Sequence, residues 1–156
     1  MFDRVVAFEP DAVNRECLLS NIERHELDNI TVVANAMSAT TGSARFWVDG
    51  SLGSRLALPE YTRGRFENIE TTSLVDACIK YGIPELICMD IESAEIEVLD
   101  AARDLLKQQS IIFSIDTNHD EVHGWTFGRV EEILRSCGYQ VETGMPGGFY
   151  TTWGWK

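Results

Sequence analysis

Long apolar runs are the first thing this sequence lacks: the longest last about five residues, against the ~20 a membrane-spanning helix requires. The opening "MFDRVVAFEP" has neither a basic leader nor an extended apolar stretch, so it does not read as a secretory signal. Together these absences predict a cytoplasmic protein with no membrane partner. Basic residues are also scarce. Thirteen Lys and Arg stand against 25 Asp and Glu, a formal net charge of −12. Nucleic-acid binding depends on neutralising phosphates, so this balance argues against RNA or DNA. A neutral or cationic small molecule suits it better.

Cysteine and histidine are sparse, with four and three copies. Cys17, Cys78, Cys88 and Cys137 form no CxxC pair, and each has apolar neighbours, which predicts reduced core thiols rather than disulfides or a metal site. His119 and His123 lie close together in "HDEVH", but this is not the HExxH pattern of a zinc helix, and no metal is expected. Phosphate-gripping glycine loops are missing as well. Neither G-x-G-x-x-G nor G-x-x-x-x-G-K-[ST] occurs, and "DGSLGSRL" leads into no helix. A self-contained dinucleotide-binding unit is thereby excluded.

What is present is an alternation of strand-like and helix-like segments. "RVVAF" (4–8), "PELICMD" (84–90) and "SIIFSID" (110–116) are apolar runs suited to strands covered on both faces. "NITVVANA" (29–36), "SARFWV" (43–48), "ENIETTS" and the tail "GGFYTTWGWK" predict further strands. Residues 11–25 place Val13, Cys17, Leu18 and Ile22 on one helical stripe with Asp11 as cap. Further helices are predicted over 73–83, 94–109 and 125–139, the first and last stopping at Gly82 and Gly138. Residues 49–66, rich in Gly, Ser and Arg, predict a loop. At 156 residues the chain is expected to be a single α/β domain built on a Rossmann-like, mostly parallel sheet.

Three strands end in acids: Glu9, Asp90 and Asp116. Ligands of such sheets bind beyond the carboxyl ends of the strands. Glu9, held by Pro10, is placed to accept ribose hydroxyls, though a solvated strand-end acid would look the same. Glu92 and Glu95 fall in a first helical turn, where the helix dipole alone explains acids. Asp90 is explained less easily that way and could take a proton from an acceptor hydroxyl. His119 is a second base candidate, or simply a solvated loop histidine. Trp125 could stack on a flat ligand or belong to the core.

In this order, "VVAFEPDAVNRECLLSN", "NITVVANAMSATTGSARFWV", "ICMDIESAEIEVLDAA", "SIIFSID" and "EEILRSCGYQVE" resemble the FkbM-type family of S-adenosylmethionine-dependent methyltransferases. The resemblance runs from Val5 to about residue 142 and rests on "AFEP" followed by D-I-E-x-A-E. It implies that Glu9 binds the ribose of S-adenosylmethionine and that Asn35 and Ala36 line the adenine pocket. It also implies that Asp90 and Glu92 help to bind the cofactor and, with Glu95, lie beside the methyl-transfer site. The implied chemistry is O-methylation of a sugar or other small-molecule hydroxyl, with Asp90 as base and His119 as the alternative.

Three departures qualify the resemblance. The glycine-rich segment that such enzymes carry before "AFEP" is missing, and with it the first strand and helix. Ser93 replaces the usual glycine of "DIEGAE", and Asp116 stands where glutamate is commoner. Without a first strand, "RVVAF" and "LICMD" are expected to pair with each other or leave open edges, through which copies of the chain could form a homo-oligomer. Truncation is the favoured explanation, ahead of a second chain filling the gap or a sheet closed over it. The competing functions are a non-enzymatic α/β module descended from a methyltransferase and, least favoured, a nicotinamide enzyme.

Overall fold

A computed structural model describes residues 2–49, 53–57, 63–119 and 125–156. The chain divides into two compact units, Met1–Met37 with Thr41–Thr72 and Ser38–Thr40 with Ser73–Lys156. Among the described residues no helix is long and apolar enough to cross a membrane.

In the first unit, β1 (Val5–Phe8) leads into α1 (Ala12–Arg24) and then β2 (Ile30–Val33). The two strands pair in parallel, from Val5 opposite Ile30 to Phe8 opposite Val33. Asp11 caps α1 as expected, its carboxylate accepting from the N–H groups of Val13 and Asn14 at 2.9 and 3.2 Å. The predicted apolar stripe of this helix is not a core face. Val13 and Cys17 are exposed, and Leu18 and Ile22 are only half-buried.

The segment 29–36 breaks into two strands rather than one. β2 ends at Val33, and β3 (Ala36–Ser38) joins a different sheet. Asn35 fixes the break by donating from Nδ2 to Thr72 Oγ1 at 2.9 Å. That second sheet has the order β3-β6-β4-β5, with β4 at Gly42–Val48, β5 at Arg55–Leu56 and β6 at Arg65–Ser73. β4 runs antiparallel to both β5 and β6. Of the region predicted as a loop, residues 50–52 and 58–62 lie outside the described residues, and the rest contributes a short strand and the start of a long one. Arg45 lies 3.5 Å over the Phe66 ring, a cation–π pairing that suits arginines to this sheet face.

The second unit opens with α2 (Leu74–Tyr81), capped by Ser73 and ended at Gly82, whose φ of 92° is left-handed. Then come β7 (Leu86–Met89), α3 (Glu95–Ala101), α4 (Arg103–Gln108), β8 (Ile112–Asp116), α5 (Phe127–Ser136), β9 (Gln140–Gly144) and β10 (Thr151–Trp155). The helix predicted over 94–109 is interrupted at Ala102, where φ is −97° and ψ is 7°. No Pro or Gly marks that break. Of the apolar face Ile96, Leu99, Ala102 and Leu106 that the helical spacing predicts, the last three are fully buried and Ile96 is half-buried. Those three join Phe113 and Ile115 of β8 and Val130, Ile133 and Leu134 of α5 in one core. At Gly154 a Cβ atom would lie 3.0 Å from Leu134 Cδ1, so a side chain there would press on Leu134 where α5 packs on β10.

The sheet of this unit has the order β7-β8-β10-β9 and is mixed: β7 and β8 are parallel, while β10 runs antiparallel to β8 and β9. The expectation of one mostly parallel sheet is corrected, since the described strands form three sheets. A turn through Pro146–Gly148 folds β9 and β10 into a hairpin, and hairpin strands pair only antiparallel. Among the described strands, β1 lies in a two-stranded sheet with β2, and β7 stands at the edge of the β7-β8-β10-β9 sheet. The cysteines are all free: Cys78 and Cys137 are buried as predicted, but Cys17 on α1 and Cys88 on edge strand β7 are exposed.

Candidate functional site

The parallel ladder of β7 and β8 ends with Met89 opposite Ile115, so Asp90 and Asp116 emerge side by side at the carboxyl ends of the strands. Beyond Asp90 the chain makes an unusual turn. Glu92 and Ser93 have φ of 57° and 81°, left-handed values that side chains other than glycine rarely adopt. Glu95 then starts α3 fully buried, its Oε1 accepting from Ile91 N–H at 2.9 Å and closing the turn.

His119, three residues beyond β8, occupies the middle of this group, with its side chain only 12% exposed. Its Nε2 lies 3.3 Å from Asp90 Oδ1, 3.5 Å from Glu95 Oε1 and 4.0 Å from Asp116 Oδ1. Its Nδ1 lies 3.6 Å from Glu92 Oε2. The structure thus gathers Asp90, Glu92, Glu95, Asp116 and His119 around one imidazole. The approach to Asp90 has ion-pair distance without hydrogen-bond alignment, because Nε2 has no hydrogen-bond partner. Burial disfavours the imidazolium, but the neighbouring carboxylates of Asp90, Glu95 and Glu92 outweigh it and raise the His119 pKa above the usual value. Burial also pushes Glu95 above the ordinary carboxylate range, against the opposing pull of His119 and the Ile91 N–H. Glu95 Oε2 has no hydrogen-bond partner.

Nearby in sequence, Trp125 is 46% exposed and leans on Tyr150, with ring centroids 5.2 Å apart. Tyr150 in turn packs on Phe127 and accepts at its carbonyl from Thr117 N–H, 2.8 Å away, just past the end of β8. Trp125 is therefore a partly open aromatic face rather than a core side chain.

In the first unit, Glu9 and Asn35 leave β1 and β2 at the same end of their ladder, and Glu9 N–H donates to Val33 O at 3.0 Å. Glu9 Oε1 accepts from Asp11 N–H at 2.9 Å. Burial raises the Glu9 pKa, the Asp11 N–H opposes that, the Asp11 carboxylate adds to it and Arg15 opposes it. Ala36 is buried at the start of β3. His123 lies outside the described residues.

Sequence reasoning undervalued His119. A loop histidine three residues past a strand looks solvated, and only the strand register shows that carboxylates from two segments converge on it. The signal that could have found it was the shared end of "ICMD" and "FSID" in a parallel pair.

The sequence profile of the Methyltransferase FkbM domain matches residues 3–141. The chain belongs to this family. The fold of the FkbM chain agrees with solved methyltransferases. It superimposes on the crystal structure of Methyltransferase FkbM from Methylobacillus flagellatus KT with a TM-score of 0.68 and 21% identity. That match covers 99% of this chain and 37% of the other, so the chain spans little over a third of that protein's length. A second match is the crystal structure of precorrin-6y C5,15-methyltransferase from Geobacter metallireducens GS-15, with a TM-score of 0.53 and 16% identity. It covers 98% of this chain and 67% of that one. No curated protein matches. The family supports a methyltransferase, and at these identities the two structures speak for the fold alone.

Proposed function

We propose that this FkbM-family chain is an S-adenosylmethionine-dependent O-methyltransferase acting on a small-molecule or sugar hydroxyl. The observation that carries the reading is the acid-lined end of β7 and β8, with the well-exposed Asp90 carboxylate backed by a buried imidazole. Glu9 fits a cofactor ribose in donor and acceptor chemistry: Asp11 N–H holds Oε1, which orients the carboxylate so that Oε2 can accept from a hydroxyl. Asn35, pinned by Thr72, and Ala36 are the residues for the adenine side.

When bound, the cofactor supplies a methyl group on a sulfonium centre. The protein's task is alignment and proton removal. Asp90 would take the proton of an acceptor hydroxyl brought to the open end of β7 and β8. His119, whose Nε2 lies 3.3 Å from the Asp90 carboxylate, is the alternative base. Asp90→Asn is expected to abolish methyl transfer to a panel of hydroxyl acceptors while leaving the affinity for S-adenosylhomocysteine nearly unchanged. Full turnover by that variant would refute the assignment.

A second reading is favoured by β1 and β7 standing at sheet edges. It is a non-catalytic α/β module assembling through those edges, and it predicts a stable homo-oligomer indifferent to the cofactor.

A further inference from the structure

We propose that Asp90, Glu92 and His119 form a binding site for a divalent cation of the Mn2+ or Mg2+ type, with Glu95 at its buried side. One ligand atom from each of the three residues can be chosen so that all lie within 4.8 Å of one another. Ligand bonds to such ions are ~2.0–2.3 Å long, so atoms sharing one ion sit ~3–4.5 Å apart. Small side-chain adjustments would close the set. Asp90 is 65% exposed and Glu92 22%, which leaves a path for the ion and positions for water.

Acidic clusters alone are common, and the observation that distinguishes this one is Glu95. Its carboxyl is fully buried beside that set, with Oε1 3.5 Å from His119 Nε2, and its other oxygen, Oε2, has no hydrogen-bond partner. A buried, unpaired carboxylate oxygen is costly in an apolar setting. Its charged neighbours are His119 and Asp90, and the latter repels it. A cation among these groups would answer the unpaired oxygen and the mutual repulsion together. The backbone adds to the geometry: the left-handed residues Glu92 and Ser93 turn the chain so that Glu92 faces the same imidazole as Asp90.

The donor set indicates the kind of ion. Carboxylate oxygens with a single imidazole and no thiolate suit Mn2+, which accepts both, ahead of the softer copper and thiolate-bound zinc sites. No short sequence spacing announces the site, because its ligands come from the ends of two strands. The inference does not depend on methyl transfer, and its test does not use it.

The test is an electron paramagnetic resonance titration of the purified chain with Mn2+, in which bound ions lose the sharp signal of the free ion. The expected result is one ion per chain, displaced by excess Mg2+. Asp90→Asn and His119→Gln should each weaken binding at least ~10-fold, while His25→Gln, on an exposed residue, should leave it unchanged. Because Asp90 is exposed, its variant keeps the test valid if the His119 variant fails to fold. Absence of Mn2+ binding by the wild type, or undiminished binding by a folded Asp90→Asn chain, would overturn the proposal.

Discussion

Two strands with nearly the same apolar signature end in very different surroundings. "RVVAF" gives β1, whose four residues are all only half-buried, while "SIIFSID" gives β8, where Phe113 and Ile115 are completely covered. β8 has ladder partners on both sides, β7 and β10, and helices above it supply Leu99, Leu106, Ile133 and Leu134. Among the described strands β1 pairs with β2 alone, and its crossover helix α1 buries no residue. Among the described apolar residues of the first unit only Ala36 and Phe46 are buried. An apolar run states what a strand could bury, and its neighbours decide what it does bury. The second unit therefore carries the core, while the first relies more on ladders, caps and half-buried contacts.

The contrast makes its largest prediction in the cores. Phe113→Ala should cost ~3–5 kcal/mol of unfolding free energy, because a fully buried aromatic leaves a cavity. Leu19→Ala on the exposed face of α1 should cost less than about 0.5 kcal/mol. Urea unfolding of both variants measures the difference, and equal losses would break the comparison.

Caps come next. Asp11→Ala removes the acceptor for two N–H groups at the start of α1 and should cost about 1–2 kcal/mol. That exceeds the effect of any single apolar truncation on the outer face of the same helix. Thermal unfolding of the two kinds of variant ranks them directly.

Ser93 offers a change of opposite sign. With φ at 81° it occupies a conformation natural to glycine, so Ser93→Gly should stabilise the second unit by up to about 1 kcal/mol. Ser93→Val should destabilise it. A stabilising valine would mean that the turn is not strained.

The smallest effect is a pH dependence at Glu9. Its folded-state pKa is raised, mainly by burial, so folding favours the protonated acid. The native state then holds more protons than the unfolded chain just above the usual carboxylate range, and stability falls as pH rises through that window. Glu9→Gln should flatten this slope and be slightly more stable than wild type at neutral pH. Unfolding midpoints of the two chains at several pH values check it, and parallel slopes would contradict the burial argument.

Much of this was legible in the sequence because it was local. The cap at Asp11, the stop at Gly82 and the strands at 5–8, 86–89 and 112–116 follow from residues that act on their immediate neighbours. The parts that were not legible depend on distant partners. Nothing within "NITVVANA" shows that Asn35 will bond to Thr72, and nothing in "AEIEVLDAARDLLKQQ" marks a break at Ala102. The mixed sheet arises because the tail strand β10 inserts beside β8, a choice made by the hairpin and the packing of Gly154 under α5. The candidate site followed the same rule. Each acid was visible at its strand end, but their convergence on His119 was a property of register.

The central proposal is that Glu9, at the end of β1, holds the ribose of a methyl donor. The most direct test is a calorimetric titration of the 156-residue chain with S-adenosylhomocysteine, beside the Glu9→Gln variant and with the mass in solution measured on the same samples. The account predicts micromolar binding by the wild type and a marked loss in the variant. A well-folded chain that does not bind, or a variant that binds as tightly as the wild type, would contradict it.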